Sequence, residues 1–186
     1  MTDAEITPAA WKRANSTRTA TGRRRLDATF EVMTAVLDGT DLTAALTLVA
    51  ARAHSMAGAR LAFIVLPLPQ TDLLRIDIAV GTDCARLRGQ TFRCGRSVIG
   101  RAFRARRALS TQIAVGQVLS DLPTGPILLL PLETGEATHG VLAVSSGPGK
   151  PPIDTPTARE LFRFATMSAT LIDLAEEHRV AGQPTL

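Results

Sequence analysis

The stretch GPILLLPLETGEATHGVLAVSSG, residues 125–147, constrains the fold of this chain most. Two apolar runs flank a polar turn containing Gly135, which is the pattern of a β-hairpin. A second apolar run, ARLAFIVLPLP at 59–69, is continuous and ends in prolines. Such a run reads as a central strand covered on both faces, because an alternating pattern is expected only where one face meets water. After the short QTD turn, LLRIDIAVG at 73–81 alternates more clearly and reads as its hairpin partner. A sheet of this kind needs covering layers, and the ends of the chain supply helices.

Leu26, Phe30, Met33 and Leu37 recur at helical spacing until DGTD interrupts them. Gly39 suits a C-terminal cap, and Thr40 or Asp41 can cap a second helix. That helix carries Leu42, Ala45, Leu46, Val49 and Ala53 on one face and runs to about Met56. Residues 82–119 read as irregular, with one short helix from Ser97 to about Arg106. The last helix opens with Asp154 or Thr155 as cap and Pro156 in its first turn. Its stripe is Leu161, Phe164, Ala165, Ser168, Leu171, Ile172 and Ala175, and Gly182 and Pro184 stop it. The order is helix, helix, strand, strand, irregular middle, strand, strand, helix, so the fold class is α+β. The expected division is a flexible basic extension over 1–23, one domain over 24–179 and a tail over 180–186.

Hydrophobic residues make up 45% of the 186 and charged residues 20%, which fits one globular domain with a core and argues against wholesale disorder. Two cysteines, Cys84 and Cys94, are too few for a disulfide-stapled scaffold. The N-terminus lacks the apolar core of a signal peptide, and no apolar run approaches the roughly 20 residues of a membrane span. The expected location is the cytoplasm, with no membrane partner.

The chemistry concentrates in CGRSVIGRAFRARRALS, residues 94–110. Eight arginines fall between Arg86 and Arg107, and no acid occurs from Cys84 through Ser120. One reading is an anion site, in which Gly95, Ser97 and Gly100 let a phosphate or carboxylate approach free backbone N–H groups while Arg93 and Arg96 add charge. The other is that the glycines serve turn geometry and the arginines point into water. The P-loop pattern is absent, which excludes a nucleotide-hydrolysing loop of that type. Nucleic acid is disfavoured, since Phe92 and Phe103 are the only aromatics in the segment and the chain has no tyrosine for base stacking. An acidic protein partner would use the same arginines. The three histidines lie far apart and form no metal-ligand cluster with the cysteines, and no Ser-His-Asp order stands out. The reading is non-enzymatic.

These residues resemble a GAF domain. GRSVIGRAFRARRALS is similar to the family's Gly-x-x-Val-x-Gly-x-Ala turn and short helix, and PILLLPLETGEATHGVLAVSS to its closing hairpin. The resemblance spans Leu26 to Glu177 and is greatest to actinobacterial modules, notably the second GAF of mycobacterial dormancy-type sensor histidine kinases. It implies a central antiparallel sheet with the terminal helices on one face, and an irregular segment with a short helix covering a pocket on the other. It also implies a homodimer paired through the terminal helices, and a role in two-component signal transduction in which a small ligand or a redox change biases those helices toward an output kinase domain. Pocket residues implied by position are Phe92, Arg93, Cys94, Arg96, Ser97, Val98 and Phe103, over a sheet floor of Phe63 and Ile78. No cofactor is expected. A haem GAF needs a histidine in the loop before the penultimate strand, and AVGQVLSDLPTGP has none; neither cysteine matches a bilin attachment site. Some GAF proteins reduce free methionine sulfoxide, and their first two active-site cysteines are spaced like Cys84 and Cys94. Aligned on the glycine turn, however, the family's cysteine falls on Ile99, and its third is missing. The arginines would still be expected to depress the pKa of Cys94 toward a redox-sensitive thiolate.

Overall fold

The computed structural model describes residues 41–114, 122, 124–135 and 137–181. The basic extension, the helix expected over 26–37, the Gly39 cap and most of the loop tested for haem lie outside the described residues. Helix α1 spans Leu42–Ala57, and Asp41 caps it by accepting the Thr43 N–H at 3.1 Å. Gly58 ends it in the left-handed conformation, with its N–H turned back to the carbonyls of His54 and Ser55.

Strands β1 (Leu61–Pro67) and β2 (Leu73–Gly81) form the first hairpin, and β5 (Gly125–Glu133) and β6 (Thr138–Ser145) form the second. Between them lie a one-turn helix α2 (Cys84–Leu87), β3 (Thr91–Arg93), helix α3 (Val98–Ala105) and β4 (Leu109–Ile113). Helix α4 runs from Thr155 to Ala181, past the expected domain edge, with Asp154 accepting the Thr157 N–H at 2.7 Å. The middle of the chain is therefore not irregular throughout: it supplies both edge strands. The sheet has six antiparallel strands in the order β3-β2-β1-β6-β5-β4. Edge strands so short carry little apolar pattern, so their pairing is decided by the neighbours they dock on.

Central strands are buried on both sides, as their continuous apolar composition requires. Ala62 and Ile64 of β1, Leu142 and Val144 of β6, and Leu128, Leu130 and Leu132 of β5 pack with α1 and α4. Leu61, Phe63 and Val65 of β1, Val141 and Ala143 of β6, and Ile127 and Leu129 of β5 face the opposite way, under α3. From α4 the first cluster takes Leu161, Phe164, Ala165, Ala169 and Ile172, while Ser168 is buried in the same helix.

Candidate functional site

The sheet face under α3 gathers most of the residues expected to line a pocket. Phe63 is fully buried at its floor, Phe92 comes from β3, and Cys94 follows immediately. Half-buried Val98 and Phe103 of α3 pack against the same cluster. Arg93 and Arg96 are exposed at its rim. Ile78 does not belong there. It packs on the opposite face with α1 and α4, because the β1–β2 register shifts between Ile64 and Val65. Ile64 pairs with Ile78 but Val65 pairs with Ile76, so Asp77 is an extra residue and the alternation reverses across it. Leu74 and Ile76 occupy the floor instead.

The turn into α3 is built by short polar contacts. Ser97 is the N-cap: its hydroxyl accepts the Gly100 N–H at 2.9 Å and lies 2.9 Å from the Arg93 carbonyl, to which it donates. A Cβ on Gly100 would collide with the Cys94 carbonyl, so this glycine is needed for the close approach of α3 to the chain leaving β3. Both facts correct the anion cradle expected at this helix start. One N–H is already capped by Ser97, and the space at Gly100 is taken by backbone. What remains of that reading is the guanidinium rim. Arg104 is held by Asp72 at 2.7 Å, and Arg106 lies 3.6 Å from Glu133. Arg93, Arg96, Arg101 and Arg107 are exposed and make no ion pair with the described residues.

Asp72 is the functional neighbour that sequence reading missed. Leu73 pairs with Arg93, which brings the residue before β2 next to the residue after β3, and the Cys94 N–H donates to the Asp72 carbonyl at 3.0 Å. The signal was present only in the strand pairing, and the three-residue β3 has no pattern to reveal it. The consequence for Cys94 reverses the expected thiolate. Burial pushes the thiol pKa above its ordinary value of 9.0, and the negative charge of Asp72 adds to this, against the opposing pull of Arg104. Cys94 is a buried, neutral thiol. Cys84, half-buried, packs against the same cluster, and both cysteines are free. His54 sits in the last turn of α1, and His139 near the start of β6 lies 3.5 Å from Asp173 of α4.

Two hairpins joined into one antiparallel sheet, long helices on one face and a glycine-turned short helix on the other match solved structures closely. The second GAF domain of DevS from Mycobacterium smegmatis superposes with a TM-score of 0.70 at 27% identity, covering 76% of this chain and 100% of that one. The chain has the fold of a GAF domain. Two more distant GAF folds share the architecture alone. One is the GAF domain of an Acinetobacter phosphoenolpyruvate-protein phosphotransferase, with 13% identity, a TM-score of 0.66 and coverage of 86% and 98%. The other is the free methionine-R-sulfoxide reductase of Neisseria meningitidis, with 19% identity, a TM-score of 0.66 and coverage of 83% and 91%. No protein-family model and no curated protein matches the chain. Among the described residues of this GAF-like fold, no helix is long and apolar enough to cross a membrane.

Proposed function

We propose that this GAF domain is a non-enzymatic sensory or regulatory module whose ligand is small and anionic and docks beside α3. The observation that carries the reading is the pairing of an apolar floor with a guanidinium rim. Phe63 and Phe92 supply the floor, Val98 and Phe103 of α3 the apolar cover, and Arg93, Arg96 and Arg101 stand outside them without acidic partners among the described residues. Apolar contact with a few polar groups that fix orientation is the usual composition of a small-molecule site. Helices α1 and α4 lie across the sheet from that site, and their packing is the element a ligand would bias. It must bind one helix arrangement better than the other, or nothing is transmitted. A homodimer paired through the terminal helices would carry the bias to an output domain.

The same exposed arginines support a second reading, an interaction module whose rim meets an acidic protein partner. Native mass spectrometry of freshly purified protein, repeated after denaturation, separates the two. A dimer releasing a small anionic mass is the outcome expected of the sensor. A ligand-free dimer with a partner lost at high salt favours the interaction module. A ligand-free monomer removes support from the helix-pairing mechanism.

A further inference from the structure

On another part of the molecule, α4 and the turn between β5 and β6 enclose an open cleft of about 580 Å³, lined by Arg106, Glu133, Thr134, Thr166, Thr170 and Asp173. We propose that this cleft binds a small organic cation, an alkylammonium or guanidinium compound. Its volume falls within the range of about 300–1,000 Å³ usual for small-molecule sites.

Three features give the cleft its sign. Thr166, Thr170 and Asp173 stand at i, i+4 and i+7 on α4 and so share one flank of the helix. The Thr166 hydroxyl donates to the Phe162 carbonyl at 3.1 Å, and the Thr170 hydroxyl to the Thr166 carbonyl at 3.3 Å. With their protons committed to the helix, both hydroxyls present only lone pairs to the cleft, which suits N–H donors. Thr134 differs from them: its hydroxyl oxygen accepts the Ala137 N–H at 3.4 Å and lies 3.5 Å from His139 Nε2.

The charges agree with the hydroxyls. Arg106 is the one cation among the described residues of the lining, and its Nε donates to Thr138 at 3.1 Å and lies 3.6 Å from Glu133. That pairing offsets Glu133. Asp173 is left with His139 at 3.5 Å, a partner that is charged only when protonated. Among the described residues of the lining, two carboxylates stand against one guanidinium, and Asp173 is placed on the helix flank that carries the threonine lone pairs. A bound ammonium would tie α4 to the β5–β6 turn, independently of any ligand at the α3 face.

Isothermal titration of the full chain with putrescine tests the site, with glutamate as the zwitterionic competitor. Asp173→Asn removes the carboxylate and should weaken putrescine about tenfold, the loss expected of one charge-assisted hydrogen bond. Arg106→Gly gives an opposite expectation. Arg106 holds the left-handed conformation at φ 52°, which glycine adopts freely, so the substitution leaves the end of α3 intact and frees Glu133. Putrescine should then bind several-fold tighter. The proposal is overturned if putrescine does not bind, if Asp173→Asn leaves its affinity unchanged, or if Arg106→Gly weakens it. It is equally overturned if glutamate binds better than putrescine and loses that binding in Arg106→Gly, since the site would then select a carboxylate.

Discussion

On one face of the sheet, α1 and α4 lay two long helices over Ile64, Leu130, Leu142 and Val144; on the other, the eight-residue α3 and its flanking turns cover Phe63, Leu129, Val141 and Ala143. Both sets are buried, yet they are secured differently. The helix face is held by long apolar stripes, where any one contact is a small part of the whole. The α3 face buries an apolar cluster of its own, but the segment that covers it is short and is set in place by local devices: the Ser97 cap, the close approach at Gly100 and the exposed pairing of Asp72 with Arg104. A face closed by a short segment can be rebuilt without disturbing the rest of the fold. This is the physical reason for assigning the proposed binding role to that face and the proposed mechanical role to the long helices.

The comparison can be broken most directly by making matched cavities. Phe164 of the helix face and Phe63 of the α3 face are both buried. Truncating either to alanine should cost about 3–5 kcal/mol in urea unfolding. A cost below about 1 kcal/mol at Phe63 would mean that its surroundings collapse around the gap, and that the α3 face lacks the packing described. A sharper probe is Gly100→Ala. In an open helix this change gains up to about 1 kcal/mol, but collision with the Cys94 carbonyl should turn it into a loss of about 2 kcal/mol. Gly135, with nothing within 4 Å of its would-be Cβ, is the control that should stay near zero in the same melts.

The smallest expected effect concerns Cys94 and its pH dependence. A raised thiol pKa means that the folded state favours the neutral form. Its contribution to stability is complete below the ordinary value of 9.0 and is lost as pH rises through the raised value. Alkylation of Cys94 by iodoacetamide should therefore stay slow at neutral pH and accelerate only in strongly alkaline buffer. Asp72→Asn removes a charge that raises the pKa and should move the onset of reaction to lower pH. Fast alkylation at neutral pH in the unsubstituted protein would restore the reactive thiolate and undo this account of the α3 face.

Much of the helix face was legible in the sequence. Leu46, Val49 and Ala53 of α1, and Leu161, Phe164 and Ile172 of α4, are buried where their helical spacing put them. The side chains of Leu171 and Ala175 lie outside the described residues. The α3 face was legible only in part. Short apolar and turn signals located Ser97 and α3 to within a residue or so, and Phe92, Cys94, Val98 and Phe103 do come together with Phe63. Ile78 was misplaced because a single extra residue, Asp77, inverts a period-two pattern without altering its look.

The sequence by itself determined the α+β class, the two hairpins and the double burial of β1, and it narrowed the caps of α1 and α4 to two residues each. Each is written in local periodicity and in the chemistry of a few turn residues. Tertiary structure alone decided that the middle segment pairs as edge strands, that Asp72 meets Cys94 and Arg104, and that Arg106 reaches Glu133 and Thr138 near α4. Those contacts join residues some tens of positions apart, as the separation of 32 positions from Asp72 to Arg104 illustrates, and no local pattern records them. Charge sign and thiol reactivity depend on what stands within a few ångströms. They follow from the pairing of strands, whatever the composition of the segment that carries the charge.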